Sequence, residues 1–151
     1  MIAALFSALH LLALGIGLGS VFLRGRALRS KTFDRDAIRR VLAADNVWGI
    51  AALLWIGTGL TRVLAGLDKE TDFYVHNGLF WVKMGLLAVL LALETRPMVT
   101  FVRWRLAVSR AGAPDVARVA LLARINDLEV ALVVLMVFVA AMMARGLWLL
   151  T

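Results

Sequence analysis

The sequence predicts an all-α integral membrane protein: a four-helix bundle with helical extensions on its cytoplasmic side. Two observations lead to this fold class. First, 62% of the 151 residues are hydrophobic and the mean hydropathy is +0.88, which is too apolar for a soluble domain of this length. Second, four apolar stretches have about the 20 residues that a helix needs to cross a bilayer. We expect one transmembrane domain over residues 1–151, with spans at about 2–23, 47–66, 77–95 and 127–149.

Each span is expected to be helical, because no stretch alternates as a strand does and a membrane barrel needs many more segments. The first stretch lacks a preceding basic segment and exceeds the apolar core of a signal peptide, so we interpret it as a span. Before span two, DRDAIRRVLAAD begins with acidic residues and continues with good helix formers. Before span four, AGAPDVARVALLARI has a turn signal and then Asp115 as a helix start. Both connections are therefore predicted to be helical, with a kink at Pro97.

The charged residues between the spans predict the orientation. Connection two is short and acidic, and the other two are strongly basic, which places connections one and three in the cytoplasm and both termini outside. The basic residues are Arg24, Arg26, Arg29, Lys31, Arg35, Arg39 and Arg40 in connection one, and Arg96, Arg103, Arg105, Arg110, Arg118 and Arg124 in connection three.

The net charge of +7 is therefore explained by topology and by contact with anionic lipid headgroups on the cytoplasmic side. We expect membrane lipids as partners and no nucleic acid, and a homo-oligomer is an open alternative. The chain has no cysteine, which excludes disulfides and thiolate metal sites.

Helical spacing sorts the remaining residues into faces. On span one, Ser7, Ala13, Gly17 and Ser20 recur with His10 at steps of three or four residues, so another helix is expected to approach closely there. The corresponding stripes are Trp48, Ala52, Trp55, Gly59 and Arg62 on span two; His76, Phe80, Lys83, Leu87, Leu90 and Glu94 on span three; and Asn126, Glu129, Val133, Met136 and Met143 on span four.

Depth follows from the topology and the helical rise. His10, Lys83, Met84 and Met142 all fall about 10–12 Å below the outer surface, and Arg62 lies above them. A charged lysine at such a depth costs about 2.5 kcal/mol or more. Lys83 therefore either faces the bundle interior or extends along its own stem to the outer headgroups.

His10 is the only histidine inside a span. It is either a hydrogen-bonding contact between helices or, as a neutral imidazole, an axial ligand for haem iron. Met84 and Met142 have the depth of a second axial ligand, although methionines in a bundle more often serve packing. The candidate cofactor-binding residues are thus His10, Lys83, Arg62, Met84 and Met142, with His10 as the candidate metal ligand.

A second polar layer is expected near the inner surface, where ion pairs would pin the helix ends. Its predicted members are Asp45, Glu94, Asn126, Asp127 and Glu129, together with Arg96 and Arg124.

Three segments carry a resemblance to known families. ALHLLALGIGLGSVFLRGRAL, FWVKMGLLAVLLAL and RINDLEV resemble the first, third and fourth helices of HemJ-type protoporphyrinogen oxidases and of CopD-like membrane proteins. In the HemJ group the histidine two residues before the lysine is thought to hold haem b, and that position is Trp81 here. Of the family histidines only the one in helix one is matched, by His10, so the resemblance by itself does not imply haem binding or oxidase activity for this chain. DNVWGIAALLWIGTGLTR with FYVHNGLFWVKM is similar to an uncharacterised bacterial family of small four-helix membrane proteins.

Two functions follow from these observations. One is a haem- or porphyrin-associated redox protein, in which Lys83 and Arg62 pair with propionates. The alternative is a non-enzymatic carrier, metal-handling accessory or assembly subunit whose polar residues hold helices together. The sequence shows no nucleophile–base pair, and it leaves open whether the protein is an enzyme.

Overall fold

The computed structural model describes residues 1–149, which contain helices and turns and no strand. Four helices are long and apolar enough to cross a membrane, and a fifth is short. The prediction of an all-α membrane bundle is therefore confirmed. The helices are α1 (Ile2–Leu28), α2 (Arg35–Leu64), α3 (Thr71–Val75), α4 (Gly78–Ser109) and α5 (Val119–Ala144).

The bundle has two chemically different ends. We call the end formed by residues 65–77 and 145–149 the acidic end, and the end formed by residues 29–34 and 110–118 the basic end. At the basic end the helices extend beyond the predicted spans. α2 begins at Arg35 because the Asp34 side chain accepts a hydrogen bond from the Ala37 amide at 2.8 Å. α4 continues through Pro97 to Ser109. The predicted helical extensions are thus present.

The predicted helix start at Asp115 is wrong, since α5 begins at Val119. Asp115 instead stabilises a turn, where its carboxylate accepts a hydrogen bond from the Ala117 amide at 3.0 Å. Its carbonyl oxygen accepts a second hydrogen bond from the Trp104 indole at 2.8 Å. Asp115 therefore ties the connection to α4, and the helix starts one turn later.

The four long helices form two pairs. α1 packs along α2, α4 packs along α5, and α1 also contacts α5, whereas α2 and α4 touch only sparsely. The predicted small-residue stripe makes the first pairing possible. A Cβ on Gly17 would lie 3.2 Å from the Trp48 ring and 3.4 Å from the Ala51 methyl group, so a larger residue would push α1 and α2 apart. The weak α2–α4 contact leaves space between the pairs.

An apolar layer fills the middle of the bundle. Trp48, Leu90, Val133 and Met136 come from three helices, and each has at most 5% of its surface exposed. This layer separates the polar groups of the acidic end from those of the basic end.

Candidate functional site

A cavity of about 500 Å³ lies at the acidic end, between α1, α2, α4 and α5, with α3 and its preceding loop over it. Its walls are mainly apolar. Gly59 on α2 and Ala140, Ala141 and Ala144 on α5 are among the lining residues, and their small side chains leave room that larger residues would fill. Cavities of about 300–1,000 Å³ with apolar walls and a few polar groups are typical of small-molecule sites.

His10 lies in this lining, on α1, and is 8% exposed. Its Nδ1 is 3.0 Å from the Thr58 hydroxyl of α2. The ring also packs on Gly59, where a Cβ would come within 2.9 Å of His10 Cε1. A glycine at this position therefore lets the imidazole lie directly against α2.

The contacts of Thr58 favour one tautomer of His10. A hydroxyl has one proton to donate, and the Thr58 hydroxyl donates it to the Leu54 carbonyl one turn earlier, at 2.6 Å. With its proton directed to Leu54, the hydroxyl accepts from His10 Nδ1–H. In that tautomer the lone pair of the neutral imidazole is on Nε2, which makes no hydrogen bond within residues 1–149. A histidine held through its other ring nitrogen in this way is typical of metal-ligating histidines.

Lys83 of α4 also lines the cavity and is half-buried. The sequence left two alternatives for Lys83, the bundle interior or the outer headgroups. In the structure its side chain lies on the bundle side of α4. Within the described part of the chain its ammonium group has neither an ion pair nor a hydrogen bond to a side chain. It is therefore a cationic group available to a ligand.

Arg62 lines the same cavity, but its charge is already paired. Its Nε donates to Asp68 at 2.5 Å, and the Ser7 hydroxyl donates to the other carboxylate oxygen of Asp68 at 3.0 Å. The sequence placed Arg62 above Lys83 but did not identify this partner. Asp68 lies six residues further along the chain, in a loop whose path helical periodicity does not predict.

The methionines divide into two groups. Met84 lines the cavity, as do Met136 and Met143. Met142 does not, and it is 45% exposed. Depth along the helix placed Met142 at the right height, but the rotation of α5 turns Met143 inward and Met142 outward. The structure thus brings His10, Lys83, Arg62 and Met84 together and leaves Met142 outside.

Trp81, where the resemblance to HemJ-type proteins would place a histidine, also points away from the cavity. It is 55% exposed, and its indole donates to the Val75 carbonyl at 3.0 Å. A histidine at this position would not face the cavity in this arrangement.

At the basic end, Arg24 forms the centre of a buried polar cluster that joins all four long helices. It is fully buried, and each of its five N–H groups has an acceptor. Nε donates to Asn126 of α5 at 2.9 Å, and Nη1 donates to Asp45 of α2 at 2.8 Å and to Glu94 of α4 at 2.9 Å. Nη2 donates to Glu94 at 3.1 Å and to Glu129 of α5. The guanidinium carbon also lies 5.6 Å above the ring of Phe101.

The cations that the sequence predicted for this cluster are wrong. Asp45, Glu94, Asn126 and Glu129 are members as expected, but Arg96 and Arg124 are exposed. Asp127 lies outside the cluster and pairs with Arg29. The sequence contained a signal for the inward position of Arg24. This residue lies one helical turn beyond Ser20, on the stripe of His10, Ala13, Gly17 and Ser20.

The fold and these sites define a multi-pass α-helical membrane protein. A family model described as "Predicted membrane protein (DUF2214)" matches residues 2–147, and the chain belongs to this family. No curated protein and no solved structure matches the chain, so the resemblance to HemJ-type and CopD-like proteins stays a prediction.

Proposed function

We propose that the cavity at the acidic end binds an amphiphilic molecule with an acidic group, and that a carboxylate-bearing porphyrin such as haem b is its ligand. The observation that carries this proposal is the position of Lys83, a cation without a protein partner in residues 1–149, in a cavity whose walls are mainly apolar. An anion of matching size would pair with the lysine while its apolar part fills the cavity.

The side chain of Trp55 supports the proposal that the bound molecule offers a hydrogen-bond acceptor in this cavity. It lines the cavity, and its buried indole N–H has no acceptor within the described residues. Because buried donors are nearly always hydrogen-bonded, a bound molecule that offers an oxygen near Trp55 would satisfy it.

Among the candidate ligands, His10 fits the binding of haem iron. The His10 tautomer that donates to Thr58 leaves a free lone pair on Nε2, as iron ligation requires. In this proposal His10 would hold the iron, and Lys83 and Arg62 would pair with the propionates. Met84 would be the candidate for a second ligand to the iron. Haem would supply one-electron redox chemistry when bound.

The proposed location is a bacterial inner membrane with both termini outside, so that the cavity opens away from the cytoplasm. The support is the charge of the connections, which is basic at one end of the bundle and acidic at the other. The exposed arginines of the basic end would contact anionic lipid headgroups.

The second candidate is a non-enzymatic carrier, metal-handling accessory or assembly subunit. Two observations favour it: His10 is already bonded to Thr58, and Arg62 is already paired with Asp68. On this alternative these groups hold helices together, and the cavity carries a ligand without chemical change.

Visible absorption separates the two candidates. The protein purified from haem-replete cells should show a Soret band and, after reduction, an α band. His10→Ala should abolish both, whereas His76→Ala should not, because His76 is the chain's other histidine and is exposed. A colourless wild-type protein, or equal spectra for both variants, would refute haem ligation.

Binding of metal-free protoporphyrin IX tests the broader proposal without iron. Lys83→Met should weaken binding about 10–100-fold, since a hydrogen bond to a charged group contributes about 1.5–3 kcal/mol. Lys31→Met is the matched control on an exposed lysine. The double variant of His10 and Lys83 tests whether the two residues share one ligand, and strictly additive effects would contradict a common site.

A further inference from the structure

The Arg24 cluster contains one more negative group than positive ones. Its carboxylates are Asp45, Glu94 and Glu129, and its guanidinium groups are Arg24 and Arg105, the latter donating to Asp45 at 2.6 Å. The neighbouring pair of Arg29 and Asp127 is balanced by itself. If all three carboxylates were ionised, the cluster would have an uncompensated buried charge, which is strongly unfavourable in a protein interior.

The contacts of Glu129 indicate where an additional positive charge would be held. Its side chain is completely buried, and one of its oxygens, Oε2, accepts from Arg24. The other oxygen, Oε1, has no partner within residues 1–149. Glu94 is the adjacent carboxylate, because it and Glu129 both accept from the same nitrogen of Arg24, Nη2.

We propose that the Arg24 cluster is a binding site for a single proton, held on Oε1 of Glu129 and donated in a hydrogen bond to Glu94. The proton makes the cluster neutral and turns the unpartnered oxygen into a hydrogen-bond donor. Oε2 of Glu129 continues to accept from Arg24, so the existing contacts are retained.

A proton fits this position better than a metal ion does. Oε1 is enclosed, and the guanidinium of Arg24 occupies the centre where the three carboxylates converge. Sodium or calcium would need several further oxygen ligands around itself, whereas a proton needs only a donor oxygen and an acceptor.

The charged groups facing Glu129 come from every helix packed around it: Arg24 from α1, Asp45 from α2, and Glu94 from α4, with the amide of Asn126 on α5 itself. The side chains of Glu94 and Asp45 are 18% and 11% exposed, so the proton exchanges with water through them at the basic end. The apolar layer around Leu90, Val133 and Met136 lies between this site and the ligand cavity, and the two proposals are therefore independent.

Isotope-edited infrared spectroscopy of the full chain in lipid nanodiscs tests the proposal. The chain has three glutamates, Glu70, Glu94 and Glu129, so side-chain ¹³C-glutamate reports on few groups. At neutral pH we expect the carbonyl band of one protonated carboxylic acid per chain, shifted by the label. A wild-type spectrum without such a band, or with a band that the glutamate label does not shift, overturns the proposal.

Variants then assign the band to one residue. Glu129→Gln should remove it completely, and Glu70→Gln, at an exposed position, should retain it. Because glutamine has both a donor and an acceptor, the Glu129→Gln protein should unfold within about 4 °C of the wild type. Persistence of the band in Glu129→Gln, or a larger loss of stability, contradicts a neutral Glu129. Glu94→Asp keeps the charge of the cluster and removes residue 94 from the glutamate label, so it decides between the two glutamates. A band that the label still shifts supports Glu129, and a band that the label no longer shifts places the proton on residue 94 and contradicts the proposal.

Discussion

Replacing Arg24 by methionine removes the group on which the basic end of the bundle converges. Methionine keeps an unbranched apolar stem against Phe101 but supplies none of the five N–H donors that Arg24 directs at Asp45, Glu94, Asn126 and Glu129. Removing one partner of a buried ion pair costs about 3–5 kcal/mol. The total stability of a folded domain is about 5–15 kcal/mol, so we expect a large fraction of it to be lost.

The assay is thermal unfolding in detergent, followed by the fluorescence of the five tryptophans. At about 2–4 °C for each kcal/mol in a chain of this size, Arg24→Met should lower the Tm by about 6–20 °C. Arg26→Met is the matched control, because Arg26 is on the same helix but exposed, and we expect a change within about 0.5 kcal/mol.

The pH dependence provides a second readout of the Arg24 variant. Methionine leaves carboxylates without their cation, and acid neutralises them. The stability difference between Arg24→Met and the wild type should therefore shrink as the pH falls. Equal Tm values for Arg24→Met and Arg26→Met would refute the assignment of Arg24 as the centre of the cluster.

Three further predictions concern other parts of the molecule. Gly17→Leu overfills the contact with α2 and should destabilise by about 1–3 kcal/mol, while Gly15→Leu, with nothing within 4 Å of its Cβ, should change the Tm little; equal effects would mean that this face does not hold α2. Burial, and then the charge of Asp68, raise the pKa of the Tyr74 phenol. The stability this contributes is present below the ordinary value of about 10 and is lost as the pH rises through the raised pKa. Ultraviolet difference absorption of this single tyrosine checks the shift, and a midpoint at or below that of free tyrosine contradicts it. Finally, a C-terminal reporter should be active outside the cytoplasm, and cytoplasmic activity would reverse the proposed orientation.

Much of the fold was predictable because the signals are local. Mean hydropathy and stretch length identified the four long helices, and helical spacing identified the buried faces of α1 and α5, including Gly17 and Glu129. The helix limits were less accurate. Asp115 follows Pro114 and looks like a helix start, but its contact with Trp104 holds it in a turn.

The candidate ligand site was predictable only in part. His10, Lys83 and Met84 were grouped by depth, and the cavity contains all three. Depth does not specify rotation, however, and for this reason Met142 was included although it faces outward. The partner of Arg62 was missed because Asp68 reaches it through a loop.

By itself the sequence determined that this protein crosses the membrane as four helices, which of their faces are buried, and which end of the bundle is basic. These properties depend on composition and on the period of a single helix. Only the tertiary structure decided that Arg24 meets carboxylates from α2, α4 and α5, and that the sparse contact between α2 and α4 leaves a cavity beside Lys83. Those contacts depend on how far each helix is rotated and shifted against its neighbours, and packing between residues distant in the chain sets both quantities.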